Sequence, residues 1–224
     1  VTGNASFSTG GLFAVNIGPA GTANFGSLTF NASSVTVQED SASSLSGVMN
    51  TPGAFSLTSA GGITDAVGTS LTAGSLVLTA GGAIVLNDNA ADLLNIAGNA
   101  SFSTGGLFSI DVGPAGTALL GSLTVNGSTV TVQEDSDTLL TGANVATGTF
   151  TLTSAGAISD AAATTIGNGI PMGALVFTAG GAITLNDNAG DVINVTGNAT
   201  FSNGGISTVT SGPAGVANFG SLTV

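Results

Sequence analysis

Short runs rich in Val, Ile, Leu, Phe and Thr alternate with Gly- and Asn-containing corners along the whole chain. Runs of this composition bounded by Gly or Asn predict β-strands, here at residues 27–30, 35–38, 55–58, 76–79 and 84–86. Glycine pairs separate many of them, at 61–62, 81–82 and 105–106, where a corner needs positive φ or a close backbone approach. No segment combines helical periodicity with capping residues, and Gly is too frequent for a stable helix. The pattern therefore predicts an all-β protein.

The chain is internally repetitive. Residues 76–89 (LVLTAGGAIVLNDN) return at 175–188 as LVFTAGGAITLNDN, and residues 1–13 (VTGNASFSTGGLF) return at 96–108 and at 195–207. These matches define long repeats at 1–95 and 96–194 and a partial repeat at 195–224. We expect residues 1–224 to form one repetitive segment and to be a window of a longer chain.

A period near 95 residues has two interpretations. Tandem β-sandwich domains of about 100 residues are one, and a solenoid whose long repeat contains several coils is the other. A subperiod of 21 to 29 residues favours the solenoid. It is marked by an apolar residue in the same local setting, at Phe7, Leu28, Leu57, Leu78, Phe102, Leu123, Leu152, Phe177, Phe201 and Leu222.

The predicted fold is accordingly a parallel β-helix (β-solenoid) with four coils per long repeat, right-handed by the rule for parallel crossovers. The ten marker side chains are expected to stack in one interior column. The second long repeat has four extra residues, which fall in the loop 160–174 that replaces 65–75 of the first repeat. Solenoids accommodate such insertions at surface corners.

The run LVLTAGGAIVLNDN and its related copies resemble the repeats of large bacterial β-strand-repeat exoproteins of the filamentous-haemagglutinin and autotransporter-passenger type. The resemblance covers nearly the whole chain and rests on low-complexity motifs. It implies a right-handed β-helix exported to the cell surface, where it serves adhesion or matrix formation.

The charge of the chain removes several classes of partner. Lys, Arg and His are absent, and twelve carboxylates give a net charge of −12. Binding to nucleic acid or to an anionic membrane surface needs basic side chains, so we expect neither. No apolar run reaches the roughly 18 to 20 residues of a transmembrane helix, so no membrane insertion is expected. Without Cys, no disulfide stabilises the fold.

Catalytic side chains are scarce as well. His, Cys, Lys, Arg and Tyr, which supply most general acid–base and nucleophilic groups, do not occur. Paired carboxylates hydrolyse glycosides in some enzymes, and the adjacent acids Glu39 and Asp40 recur as Glu134 and Asp135. Recurrence in two repeats favours a structural role over a single active site. We therefore expect the protein not to be an enzyme.

Acidic residues, or Asn16 in the first coil, follow the second strand of many coils and would line one corner of the solenoid if the coils stack in register. They are Glu39, Asp40, Asp65, Asp88, Asp111, Glu134, Asp135, Asp160 and Asp187. One interpretation is a solvated acidic edge that keeps the protein soluble. The other is a calcium site, because carboxylate and amide oxygens in a turn suit this ion. The candidate calcium ligands are Asp88, Asn89 and Asp92 in the first repeat and Asp187, Asn188 and Asp191 in the second. No other cofactor is expected.

These observations predict a non-enzymatic structural exoprotein, extracellular or on the cell surface, that forms a fibre or stalk and self-associates end to end or laterally. The alternative is an adhesin that binds a glycan or host-surface ligand through solenoid loops, with the expansion around residues 167–172 as a recognition surface. Calcium-stabilised tandem β-sandwiches and an ice-binding solenoid are further alternatives.

Overall fold

The protein is built from β-strands joined by tight corners. A computed structural model describes residues 2–18, 20–167, 172–205, 207–212 and 214–224. The strands are β1 (Asn4–Ser8), β2 (Val15–Ile17), β3 (Ser27–Asn31), β4 (Val35–Glu39), β5 (Ser43–Leu45), β6 (Val48–Ser59), β7 (Ile63–Asp65), β8 (Ser70–Ala80), β9 (Ile84–Leu86), β10 (Leu93–Ser103), β11 (Ile110–Val112), β12 (Thr117–Gly127), β13 (Val130–Glu134), β14 (Thr138–Leu140), β15 (Ala143–Ala146), β16 (Thr149–Ser154), β17 (Ile158–Asp160), β18 (Thr165–Ile166), β19 (Ala174–Ala179), β20 (Ile183–Leu185), β21 (Val192–Ser202), β22 (Val209–Ser211) and β23 (Val216–Thr223). Within these ranges no helix is long and apolar enough to cross a membrane.

All of these strands join one parallel sheet that winds into a β-solenoid of about nine coils. Each strand pairs with its counterpart one coil away, as Ile63 of β7 pairs with Ile84 of β9, which pairs with Ile110 of β11. The predicted fold class is confirmed. The tandem β-sandwich interpretation is wrong, because sandwiches of that class are built from antiparallel sheets.

The interior is one continuous hydrophobic core. Alternate residues of each strand point inward, as expected for a pleated strand, and the largest fully buried side chains include Phe30, Phe102 and Phe177. Aromatic rings of successive coils touch: the centroid of Phe177 lies 5.1 Å from that of Phe150 and 6.1 Å from that of Phe201. Burial of such a side chain contributes roughly 1.5–3 kcal/mol, so every added coil extends the stabilised core.

The prediction that the ten marker residues form one column is wrong. Phe7 pairs with Phe30, whereas Leu28 pairs with Ala5 on one side and with Leu45 on the other. Leu57 and Leu78 do stack in register, but Leu28 is not their neighbour in that column. The marker residues of the described interior coils lie in one core. The strands that stack on one another change along the solenoid, so the markers belong to different columns of stacked strands.

This change occurs where one strand column stops and another divides. The second half of β12 lies under two strands of the next coil, because Leu123 pairs with Leu140 of β14 and Asn126 pairs with Val145 of β15. In the described pairings the first half of β12, residues 117–120, pairs only with β10. The first repeat shows the same division at β3, where Leu28 pairs with β5 and Asn31 with β6.

The glycine corners serve both predicted purposes. Gly105 and Gly106 have φ of +64° and +78°, a backbone conformation that other residues rarely adopt. Gly81 instead allows close approach of two coils, because a Cβ at this position would lie 2.3 Å from the carbonyl oxygen of Ala60. Corners of this second kind let successive coils stack at strand spacing.

The extra residues of the second repeat interrupt a strand. The first repeat has the continuous β8, whereas the second has the separate strands β18 and β19 in its place. Residues 168–171 of the predicted recognition surface lie outside the described residues. Of its two remaining members, Gly167 has φ of +78° and Met172 is fully buried.

Candidate functional site

Two clusters of three carboxylates are the main concentrations of charge. Asp65, Asp88 and Asp92 form the first, and Asp160, Asp187 and Asp191 form the second. In each triad one oxygen from every carboxylate lies within 4.8 Å of the others. Each triad joins two coils, because its first member ends one strand and the other two follow the strand stacked next to it.

The last member of each triad is fixed by backbone N–H groups. Asp92 is only 2% exposed, and its Oδ1 accepts hydrogen bonds from the N–H of Gly68 at 2.7 Å and of Thr69 at 3.1 Å. Its Oδ2 accepts from the N–H of Asn89 at 3.0 Å. The carboxylate therefore ties its own turn to the corner of the preceding coil. Asp191 does the same in the second repeat, accepting from Thr164 at 3.1 Å and Asn188 at 2.8 Å.

The first member of each triad has only half of its hydrogen-bonding capacity used. Asp65 Oδ2 accepts from the N–H of Asn87 at 2.9 Å, while its Oδ1 is buried without a partner. Asp160 repeats this arrangement with Asn186. Burial, together with the nearby charges of Asp92 and Asp88, raises the pKa of the Asp65 carboxyl to about 6. The same causes raise the pKa of Asp160 to about 6.

The structure brings together some of the predicted calcium ligands and adds one residue to each set. Asp88 with Asp92, and Asp187 with Asp191, converge as expected. The side-chain amide of Asn89 donates to Asp88 Oδ1 at 2.6 Å, and that of Asn188 donates to Asp187 in the same way. Asp65 and Asp160 were expected at the same acidic corner but were not among the predicted calcium ligands, since they lie one coil earlier in the chain. The signal that could have found them is their corresponding position in the two repeats, each one coil before an LNDN turn.

The triads have the donor chemistry of a cation site. Calcium takes six to eight oxygen ligands, and three carboxylates with a buried unpartnered oxygen supply part of such a set, water completing it. The chain contains no Lys, Arg or His that could balance the three negative charges of a triad. The residues that would hold the ion are Asp65, Asp88 and Asp92, and their counterparts Asp160, Asp187 and Asp191.

The adjacent acid pairs have a different role. Glu134 is 1% exposed; its Oε1 accepts from the N–H of Leu120 at 3.0 Å, and its Oε2 from the hydroxyl of Thr138 at 2.6 Å. Burial raises the pKa of Glu134 above its usual value. The prediction of one solvated acidic edge is therefore wrong for this residue and for the equally buried Glu39. These carboxylates bind backbone groups inside the solenoid.

Comparison with known proteins identifies the repeat unit. Residues 32–97 and 127–194 match a family described as repeats of unknown function (DUF5649). Each matched stretch contains one acid pair and one complete triad, so its boundaries are shifted relative to the long repeats defined from the sequence. Searches of curated proteins and of solved structures find no significant match. Since the two matched stretches cover more than half of its residues, the chain belongs to this family of repeats.

Proposed function

We propose that this chain is a non-enzymatic structural segment of an extracellular fibre or cell-surface stalk. The observation that supports this most directly is the parallel ladder that runs from β1 to β23 over one uninterrupted core. Each coil presents the next with a strand edge and an apolar surface, so length is added without a new type of interface. Nine coils at strand spacing give a rod of about 43 Å.

Composition agrees with an extracellular role. The chain offers no Lys or Arg to trypsin-like proteases. The resemblance to filamentous-haemagglutinin and autotransporter-passenger repeats supports the same assignment, because those proteins are exported to the cell surface as β-helices.

Electron microscopy of the native protein on its cells, combined with gold-labelled antibody against this chain, tests the proposal. We expect label along filaments or stalks of uniform width at the cell surface. Label confined to the cell interior would contradict the proposal. Isolated short rods that bind to surfaces would instead favour the second candidate.

The second candidate is an adhesin, and a repeated exposed apolar corner favours it. Leu12 and Phe13 in the first long repeat and Leu107 and Phe108 in the second are exposed, Leu12 and Leu107 both to 76%. Both corners have the same geometry, with Thr9 donating its hydroxyl to Phe13 O and Thr104 donating to Phe108 O. Exposed apolar groups that recur in one setting are typical of interaction sites. Replacing Leu12, Phe13, Leu107 and Phe108 by Ser should then abolish attachment of the protein to its host surface or glycan, and unchanged attachment would exclude this role.

A further inference from the structure

The strand edge at residues 117–120 is the place where a column of strands stops. This half of β12 pairs with β10 on one side, and in the described pairings no later strand covers the other side. The N–H groups of Ala118 and Leu120 point away from β10, toward the position that the missing strand would occupy. A free edge of this kind is a template for a strand from another chain.

At Ala118 an aspartate makes the hydrogen bonds that a further strand would otherwise make. Asp135 Oδ2 accepts a hydrogen bond from the N–H of Ala118 at 2.9 Å, and the N–H of Asp135 donates to the carbonyl oxygen of Ala118 at 2.8 Å. A parallel neighbour would engage the same two atoms of Ala118. Glu134 Oε1 takes the next donor, the N–H of Leu120, at 3.0 Å. The two side chains thus satisfy two edge N–H groups, and the backbone N–H of Asp135 satisfies the carbonyl oxygen between them.

The first repeat contains the same hydrogen bonds at residues 23–25, a segment that is not part of a strand. Asp40 Oδ2 accepts from the N–H of Ala23 at 2.8 Å, and the N–H of Asp40 donates to Ala23 O at 2.8 Å. Glu39 Oε1 accepts from the N–H of Phe25 at 2.8 Å. Both glutamates are 1% exposed and are held by a hydroxyl four residues later, from Ser43 or Thr138. Two independent copies with the same atoms in the same roles point to a defined device.

We propose that Glu134 with Asp135 block strand addition at the edge where a strand column ends, and that Glu39 with Asp40 do the same at the corresponding segment 23–25 of the first repeat. An incoming strand would have to displace carboxylate oxygens from the N–H groups that it needs. The side-chain oxygens belong to the same chain and stand at a high effective concentration beside these N–H groups, so backbone carbonyls of an incoming strand compete poorly. With the block in place, a second copy of this chain cannot extend the sheet sideways at these edges.

The test compares two double variants that differ only in the acceptor. Asp40→Ala with Asp135→Ala removes the oxygens that bind Ala23 and Ala118, whereas Asp40→Asn with Asp135→Asn keeps an oxygen and removes the same charge. Both aspartates are exposed, so these variants keep the core intact, unlike a substitution of the buried glutamates. Circular dichroism checks the fold.

For the Ala variant we expect amide exchange at Ala23 and Ala118 to accelerate at least tenfold, measured by NMR. We also expect sedimentation to show larger species than the wild-type chain forms at the same concentration. The Asn variant should resemble wild type in both measurements. Accelerated exchange without association, or unchanged exchange, would overturn the proposal. Association of the Asn variant as well would assign the effect to net charge and also overturn it.

Discussion

The carboxylate of Asp65 accepts a hydrogen bond from the backbone N–H of Asn87, one coil further along the solenoid, at 2.9 Å. This contact uses one oxygen and leaves the other buried without a partner. The carboxylates of Asp88 and Asp92 lie beside it. The pair therefore connects two coils while holding a charge in an unfavourable place, and we expect this conflict to determine how the stability of the protein responds to pH and to cations.

Stability is expected to rise as the pH falls from 8 to 5. Asp65 and Asp160 have folded-state pKa values of about 6 against 3.8 for the free group, so protonation favours the folded state. This contribution is complete below pH 3.8 and is lost as the pH rises through 6. Allowing for solvent screening, about 1–2 kcal/mol per site is expected. Urea unfolding followed by circular dichroism measures it, since the chain has no Trp or Tyr.

The double variant Asp65→Asn with Asp160→Asn is the control for that pH dependence. It should lose most of the change in unfolding free energy between pH 5 and 8, because it removes the two groups whose pKa is raised to about 6. A wild-type protein whose stability is flat or falls over this range would contradict the assignment of the raised pKa values to these residues.

Calcium is expected to raise the melting temperature at pH 7.5. An ion bound to the folded triads and not to the unfolded chain stabilises the fold in proportion to the logarithm of its concentration. Thermal melts with calcium and with chelator measure the effect, and Asp88→Asn with Asp187→Asn should remove it. Identical melting curves of the wild-type protein under both conditions would dismiss calcium as a ligand.

Phe177→Ala is expected to cost about 3–5 kcal/mol of unfolding free energy. The ring is fully buried between Phe150 and Phe201, so its removal leaves a cavity in the core. The matched surface change Leu107→Ala should stay within about 0.5 kcal/mol, since that side chain is exposed. Equal effects of the two substitutions in chemical denaturation would be incompatible with a continuous core at this coil.

Gly81→Ala is expected to destabilise the protein by roughly 1–3 kcal/mol, as overpacking does elsewhere. Its new Cβ would meet the carbonyl oxygen of Ala60 and force two coils apart. Gly21→Ala is the control, because nothing lies within 4 Å of the position of its Cβ and its φ is not in the left-handed region. Midpoints of urea unfolding should fall for the first variant and stay unchanged for the second.

Much of the fold was predictable because strand composition and coil spacing are local signals. Residues 84–86 were predicted as a strand with the observed bounds, and Leu57 stacks on Leu78 as their equal local settings indicated. The division of columns was not predictable in this way. Phe7 and Leu28 have the same local pattern, yet their strands pair with an offset of two residues.

The candidate site was predicted in part for the same reason. Asp88 and Asp92 lie in one turn, so their spacing revealed their proximity. Asp65 comes from the previous coil, and its approach depends on the stacking of β7 on β9. The role of Glu134 depends on an edge at Leu120 that exists only because a column stops there. Contacts between coils thus carry the information that single motifs lack.

The places where one strand column stops and another divides limit the length of regular outer surface that a flat ligand could contact. Four coils, or about 19 Å, separate one such place from the next. Rows of equivalent side chains on the outer surface therefore continue straight only over that distance. A crystalline lattice such as ice or a mineral face would match them no further, because the next rows begin at a different position around the axis. A flexible polymer that wraps the rod would instead meet the same local groups again, once in every long repeat.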